Sequence, residues 1–197
     1  VSLINKDEIK KYPICDTDIW VKLCLAGIEN KVFKKYGKLI VADVVAQEIS
    51  AWNNESRFNY IYTRFKQKSM SGDIIVIHHQ NIEPEEDRMI LEMQLYQYKF
   101  KTGFKNIPKE KHKGEFVSAI YADYFNIPFL KSNDSTFKPG ERGRKEFPDL
   151  KVKNWYDTTN ELISEVREKI KLRAKVETLE KVMEEENEIY KKHGSLY

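Results

Sequence analysis

Short apolar runs alternate along this chain with stretches in which apolar residues recur at helical spacing. Tyr12-Pro13-Ile14-Cys15 reads as a short buried strand that ends at Asp16-Thr17-Asp18, whose side-chain oxygens suit a helix N-cap. Ile19, Leu23 and Ala26 then follow at helical spacing up to Gly27, a natural stop. Lys38 to Ala42 is a second strand, and Asp43 caps a helix carrying Val44, Val45, Glu48 and Ile49. A basic helix is expected from Ser56 to Ser69, and Gly72-Asp73 turns into the β-branched run Ile74 to Ile77, a fully buried strand. Pro84 with Glu85, Glu86 and Asp87 starts a helix that runs to about Phe100, because proline fits the first turn and carboxylates complement its dipole.

A basic loop, Lys101 to Lys113, leads into a helix opened by Gly114-Glu115, with Val117, Ala119, Ile120, Ala122 and Phe125 on its buried stripe. Asn126-Ile127-Pro128 breaks that helix, Phe129-Leu130 forms another strand, and Lys151 to Trp155 gives the last one. Strands alternating with helices predict an α/β domain with a mainly parallel sheet covered on both faces. Asp157-Thr158-Thr159 caps one long final helix, Thr159 to His193, with Leu172, Val176, Leu179, Met183 and Tyr190 as a narrow apolar seam. Such a stripe serves either docking on its own domain or a homodimer through the C-terminal helix. The division expected is a domain over residues 1–157 and a helical extension over 158–197.

Composition narrows the class. With 197 residues, 41% of them hydrophobic and 12% aromatic, the chain can bury a core and is not intrinsically disordered. No run approaches the ~20 apolar residues of a membrane span, and the charged start lacks a signal peptide's apolar stretch, so a cytoplasmic protein without membrane partners is expected. Cys15 and Cys24, the two cysteines, lie in apolar runs and read as buried thiols.

Four acids stand where a strand ends, a helix begins or a helix turns inward: Asp16, Glu48, Glu115 and Asp134. Strand C-termini of a parallel sheet share one edge, so these carboxylates can converge there. Repulsion within such a cluster favours a hard divalent cation, Mg²⁺ or Mn²⁺, which can bind a phosphodiester and activate water. Each acid also has an ordinary role open to it: Asp16 and Asp18 as caps, Glu48 as a solvated helix residue, Glu115 as a first-turn carboxylate, Asp134 as a turn former. The histidines, His78, His79 and His112 among them, are too scattered for a zinc pattern, and no glycine-rich nucleotide loop occurs.

The pieces Ile14-Cys15-Asp16-Thr17-Asp18, Val44 to Ile49, Gly114-Glu115 with Ala119-Ile120 and Ala122, and Ile127 to Phe137 resemble the PIN-domain family of metal-dependent nucleases. The likeness covers Tyr12 to Trp155. It implies a three-layer α/β/α sandwich on about five strands, with Asp16, Glu48, Glu115 and Asp134 as catalytic, metal-binding acids and Asp18 as an auxiliary. Three departures accompany it. The third acid is Glu115 where the family commonly has Asp, with Asp123 as a weaker substitute. Counting from Glu115 puts Asn133 in the fourth position, whereas the spacing to Phe137 selects Asp134. Thr136 replaces a frequent extra acid.

The resemblance implies a ribonuclease, with toxin-type members held by a protein inhibitor. Two readings stand beside it: a non-catalytic PIN-like module binding RNA or protein, and a haloacid dehalogenase-like phosphatase suggested by Asp16-x-Asp18. Charge placement bears on the partner. The net charge is only +3, but Tyr96 to Gly114 holds six lysines, among them Lys99, Lys101, Lys105, Lys109, Lys111 and Lys113, interleaved with aromatics, and Arg57 and Arg64 lie in a second such segment. Basic residues beside aromatics suit single-stranded or looped RNA, through phosphate neutralisation and base stacking.

Overall fold

The computed structural model describes residues 4–54, 57–104 and 110–193, with side chains to residue 186. Among these, five strands form one all-parallel sheet: β1 (Ile14–Cys15), β2 (Leu39–Ala42), β3 (Ile74–Ile77), β4 (Leu130–Lys131) and β5 (Val152–Lys153), in the order β3-β2-β1-β4-β5. The helices are α1 (Lys6–Ile9), α2 (Thr17–Ala26), α3 (Glu29–Tyr36), α4 (Asp43–Ser50), α5 (Tyr60–Met70), α6 (Glu85–Gln97), α7 (Lys113–Tyr124), α8 (Arg142–Glu146), α9 (Trp155–Leu162) and α10 (Val166–His193). This is the expected α/β sandwich with a long C-terminal helix.

Strand order reverses between β1 and β4. With right-handed crossovers, the helices linking β1, β2 and β3 lie on one face and those linking β3, β4 and β5 on the other, which opens a crevice beyond the carboxyl ends of β1 and β4; α9 and α10 return to pack against α3 and α2. The register is tight there: Ile14 pairs with Ile40 on one side and Leu130 on the other, and Cys15 with Lys131. The Asp16 N–H then donates to the Lys131 carbonyl at 3.0 Å. β2 and β3 are continuous apolar runs, as in a sheet covered on both faces, and all four residues of β2 are buried.

Local chemistry sets the helix ends. Asp16 caps α2, and Gly27 closes it at φ 72°, where a Cβ would be strained. Asn154 and Asp157 form a reciprocal capping box at the start of α9. Cys15 and Cys24 are free and buried.

Two expectations about the chain's course are corrected. The basic helix begins at Tyr60 rather than Ser56. The final helix is two helices. The chain leaves helical geometry at Ile163 (φ −126°, ψ 125°), whose side chain is buried, so extended backbone there carries an apolar anchor into the core before α10 begins. Thr158 and Thr159 of α9 are fully buried, and Arg173 of α10 reaches back to Thr159 Oγ1 and the Tyr156 carbonyl.

The apolar seam of α10 faces its own domain. Val176 and Met183 are buried, Leu172 and Leu179 pack partly buried against the core, and Lys22 of α2 pairs with Glu180. Arg57–Glu186 and Lys31–Glu168 add ion pairs at 3.0 and 3.3 Å. The side chain of Tyr190 lies outside the described residues. Among the described residues, no helix is long and apolar enough to cross a membrane.

Candidate functional site

The crevice between β1 and β4 gathers carboxylates from four elements. Asp16, at the end of β1, is 2% exposed; its Oδ1 accepts from the Thr17 N–H at 2.7 Å and its Oδ2 from Ser132 Oγ at 3.0 Å. Glu48 comes from the last turn of α4, where its Oε2 accepts a 2.5 Å hydrogen bond from the Thr17 hydroxyl. Glu115 lies in the first turn of α7 and faces Asp134, with donor atoms of the two within 4.8 Å of each other. Asp134 follows β4; its Oδ1 accepts from the Thr136 N–H at 2.7 Å, and its Oδ2 lies 3.1 Å from His112 Nδ1.

Ser132 joins two of these acids. Its hydroxyl donates to Asp16 while its oxygen accepts from the Asp134 N–H at 3.2 Å. Donor atoms of His112, Glu115 and Asp134 lie within 4.8 Å of one another. Glu48 approaches the same helix start from the side, against Gly114.

Burial and mutual repulsion dominate the electrostatics. Burial, then the charges of Glu115, Asp18 and Glu48, hold the Asp16 carboxyl well above the usual carboxylate range. Glu115 is pushed up to about 8 by burial, reinforced by the charges of Asp134 and Glu48. Asp18 is raised to about 6 by burial, opposed by Lys22 and by the Asn133 N–H it accepts from. Carboxylates in this condition either keep protons or take a cation in their place.

Oxygen donors of this kind suit a divalent cation, and among the described residues the set close enough together to share one is His112, Glu115 and Asp134, with Asp16 and Glu48 beside it. Asp16, Glu48, Glu115 and Asp134 offer carboxylate oxygens, hydroxyls and backbone N–H groups hold three of the four in place, and the space beside Gly114 is filled by the Glu48 carboxylate. Asn133 is turned elsewhere: its side-chain oxygen accepts from the Trp155 N–H. Asp123 is exposed two turns along α7, where its charge is felt by Tyr98 rather than by the acids of the crevice.

The basic residues divide. Lys99, Lys101 and Lys111 are exposed. Lys113 is buried and turned inward, hydrogen-bonded to Thr102 and 3.9 Å from Glu110, because the first turn of α7 packs into the domain. Arg64 pairs with Glu29 at 3.0 Å and donates to the Cys24 carbonyl, which ties α5 to α2 and α3. Arg57 is exposed but paired with Glu186. Lys105 and Lys109 lie outside the described residues. Of the interleaved aromatics, Phe58, Phe65, Phe100 and Phe104 are buried in the core, so they are not open for stacking on bases, whereas Tyr96 is exposed.

Sequence reasoning missed Thr17, Ser132, Gly114 and His112. Thr17 and Ser132 sit directly beside strand ends, which was the available signal; nothing local marked His112.

No family model and no curated protein matches this chain. Among solved structures, VapBC2 from Rickettsia felis bound to a DNA fragment from its promoter is similar over 73% of this chain and 98% of that chain, with a TM-score of 0.43 and 15% identity. A likeness at this level carries nothing about chemistry.

Proposed function

We propose that this chain is a metal-dependent endoribonuclease of the PIN type that its sequence resembles, acting on single-stranded or looped RNA. The observation that supports it best is the meeting of Asp16, Glu48, Glu115 and Asp134, from four separate elements, beside the topological switch of a parallel sheet. These four acids would hold Mg²⁺ or Mn²⁺. When bound, the cation supplies Lewis acidity toward a phosphodiester and eases the deprotonation of water.

The chain's own residues fix the donor oxygens. Thr17 directs Glu48 through its hydroxyl and Asp16 through its N–H, so one residue at the start of α2 orients two acids. Ser132 couples Asp16 to the backbone of Asp134, and burial of Asp16 keeps bulk water from one side of the cluster. Lys99, Lys101 and Lys111, exposed around the loop that leads to α7, supply charge for a phosphate backbone.

The test is calorimetric titration with Mn²⁺ together with cleavage of a single-stranded RNA. Wild type binds Mn²⁺ and cuts; Asp16→Asn loses both. RNA binding without measurable Mn²⁺ binding would make the protein a non-catalytic module instead, and cleavage unchanged in Asp16→Asn would remove the acids from the chemistry.

A further inference from the structure

His112 is not one of the four acids, yet its ring enters their site. Nδ1 lies 3.1 Å from Asp134 Oδ2, and donor atoms of His112, Glu115 and Asp134 all fall within 4.8 Å of one another. A cation bonded to nitrogen and oxygen at about 2.1 Å spaces its ligands about 3 to 4 Å apart, so small side-chain rotations close this trio on one ion.

The backbone presents the ring. His112 takes a left-handed conformation, φ 62°, at the residue preceding α7, which is unfavourable for a side chain with a Cβ. Its carbonyl accepts from the Phe116 N–H at 3.1 Å, so the main chain is fixed as the first acceptor of the helix. The imidazole makes no capping bond to α7; it is directed across to Asp134 instead. A ring that makes no bond to the helix and meets Asp134, with Glu115 within 4.8 Å, is placed as a ligand is placed.

The geometry points to His112 as a nitrogen ligand of the cation held by Glu115 and Asp134, giving a centre that takes Mn²⁺ and other borderline divalent ions in preference to Mg²⁺. This rests on the metal-dependent reading above and adds the identity of the ion. Mg²⁺ favours oxygen and sheds its water reluctantly, whereas an imidazole raises affinity along the series from Mn²⁺ onward.

The experiment uses the full chain with Mn²⁺ or Mg²⁺ alone. Electron spin-echo modulation of bound Mn²⁺ should carry an imidazole-nitrogen signal that changes with ¹⁵N-histidine labelling and disappears in His112→Asn, a residue that tolerates the left-handed backbone. By calorimetry the Mn²⁺-to-Mg²⁺ affinity ratio should fall about tenfold in that variant and in His112→Gly. If wild-type Mn²⁺ shows no nitrogen modulation, or the variants keep it, or both ions weaken equally, His112 only pairs with Asp134; the ligand role is then overturned while the four acids stand. If wild type binds neither ion, both readings fall. The wild-type spectrum needs no variant to fold.

Discussion

The Glu48 carboxylate rests against the α-carbon of Gly114: a Cβ there would lie 3.0 Å from Oε1 and 3.1 Å from Oε2. Glycine is needed for space rather than for backbone freedom, since only the end of a side chain would have to move. Gly114→Ala is therefore expected to leave the melting temperature unchanged or slightly raised, because alanine favours a helix by up to about 1 kcal/mol over glycine. Mn²⁺ affinity and RNA cleavage should fall about tenfold as Glu48 is displaced. Wild-type affinity in a folded Gly114→Ala protein would separate Glu48 from the metal centre.

Ser132 serves two acids with one hydroxyl, accepting from the Asp134 N–H and donating to Asp16. Ser132→Ala leaves a buried carboxylate oxygen and a partly buried N–H unpaired, at a cost of about 1 to 3 kcal/mol in denaturant unfolding. Cleavage under single-turnover conditions should drop about 10- to 100-fold, the usual effect of losing a group that orients a metal ligand. A change in stability with no change in rate would confine Ser132 to the fold.

Metal-free protein should lose stability as pH rises from about 5 to about 8. Glu115 is raised from its ordinary 4.5 to about 8 by burial and by the charges of Asp134 and Glu48, so across that window the folded state binds more protons than the unfolded one. Stability from this group is full below the unfolded value and is lost as pH climbs through the folded value. His79, lowered by burial, pulls the other way, so the measurement is a comparison: the melting-temperature profile of wild type should fall more steeply between pH 5 and pH 8 than that of Glu115→Gln. Parallel profiles would contradict the shift.

Val176 is 1% exposed beneath α10. Val176→Asp puts a carboxylate into that contact and should destabilise the protein by about 3 kcal/mol or more. Because α10 docks on its own domain, the wild-type melting temperature should not depend on protein concentration. A concentration-dependent transition abolished by Val176→Asp would mean that the seam joins two copies.

Much of the fold was legible because β2 and β3 are dense apolar runs. Leu39 to Ala42 and Ile74 to Ile77 need no context to be read as buried strands. β4 was harder: it takes in Lys131, a fully buried lysine 3.6 Å from Glu161 and hydrogen-bonded to Thr158, partners that no local pattern announces. The break at Ile163 lacks glycine or proline, so helical periodicity ran straight through it. In the site, acids at strand ends and helix starts advertised themselves, whereas His112 and Gly114 matter only through residues that approach from elsewhere in the chain. Lys113 misled in the opposite sense, since a basic run says nothing about which of its members the next helix will bury.

Because the Asp16 N–H is bonded to the Lys131 carbonyl, the direction of that acid is inherited from the pairing of β1 with β4. A slip of one residue would present Cys15 where Asp16 now stands and turn the acid away. Asp16 and Ser132 are 116 residues apart, so the crevice exists only once distant segments have closed on each other, and such contacts form slowly. A chain in which β1 and β4 have not paired therefore lacks Asp16 beside the other acids. The placement of Asp16 is thus a property of the closed sheet and not of the segment that carries it.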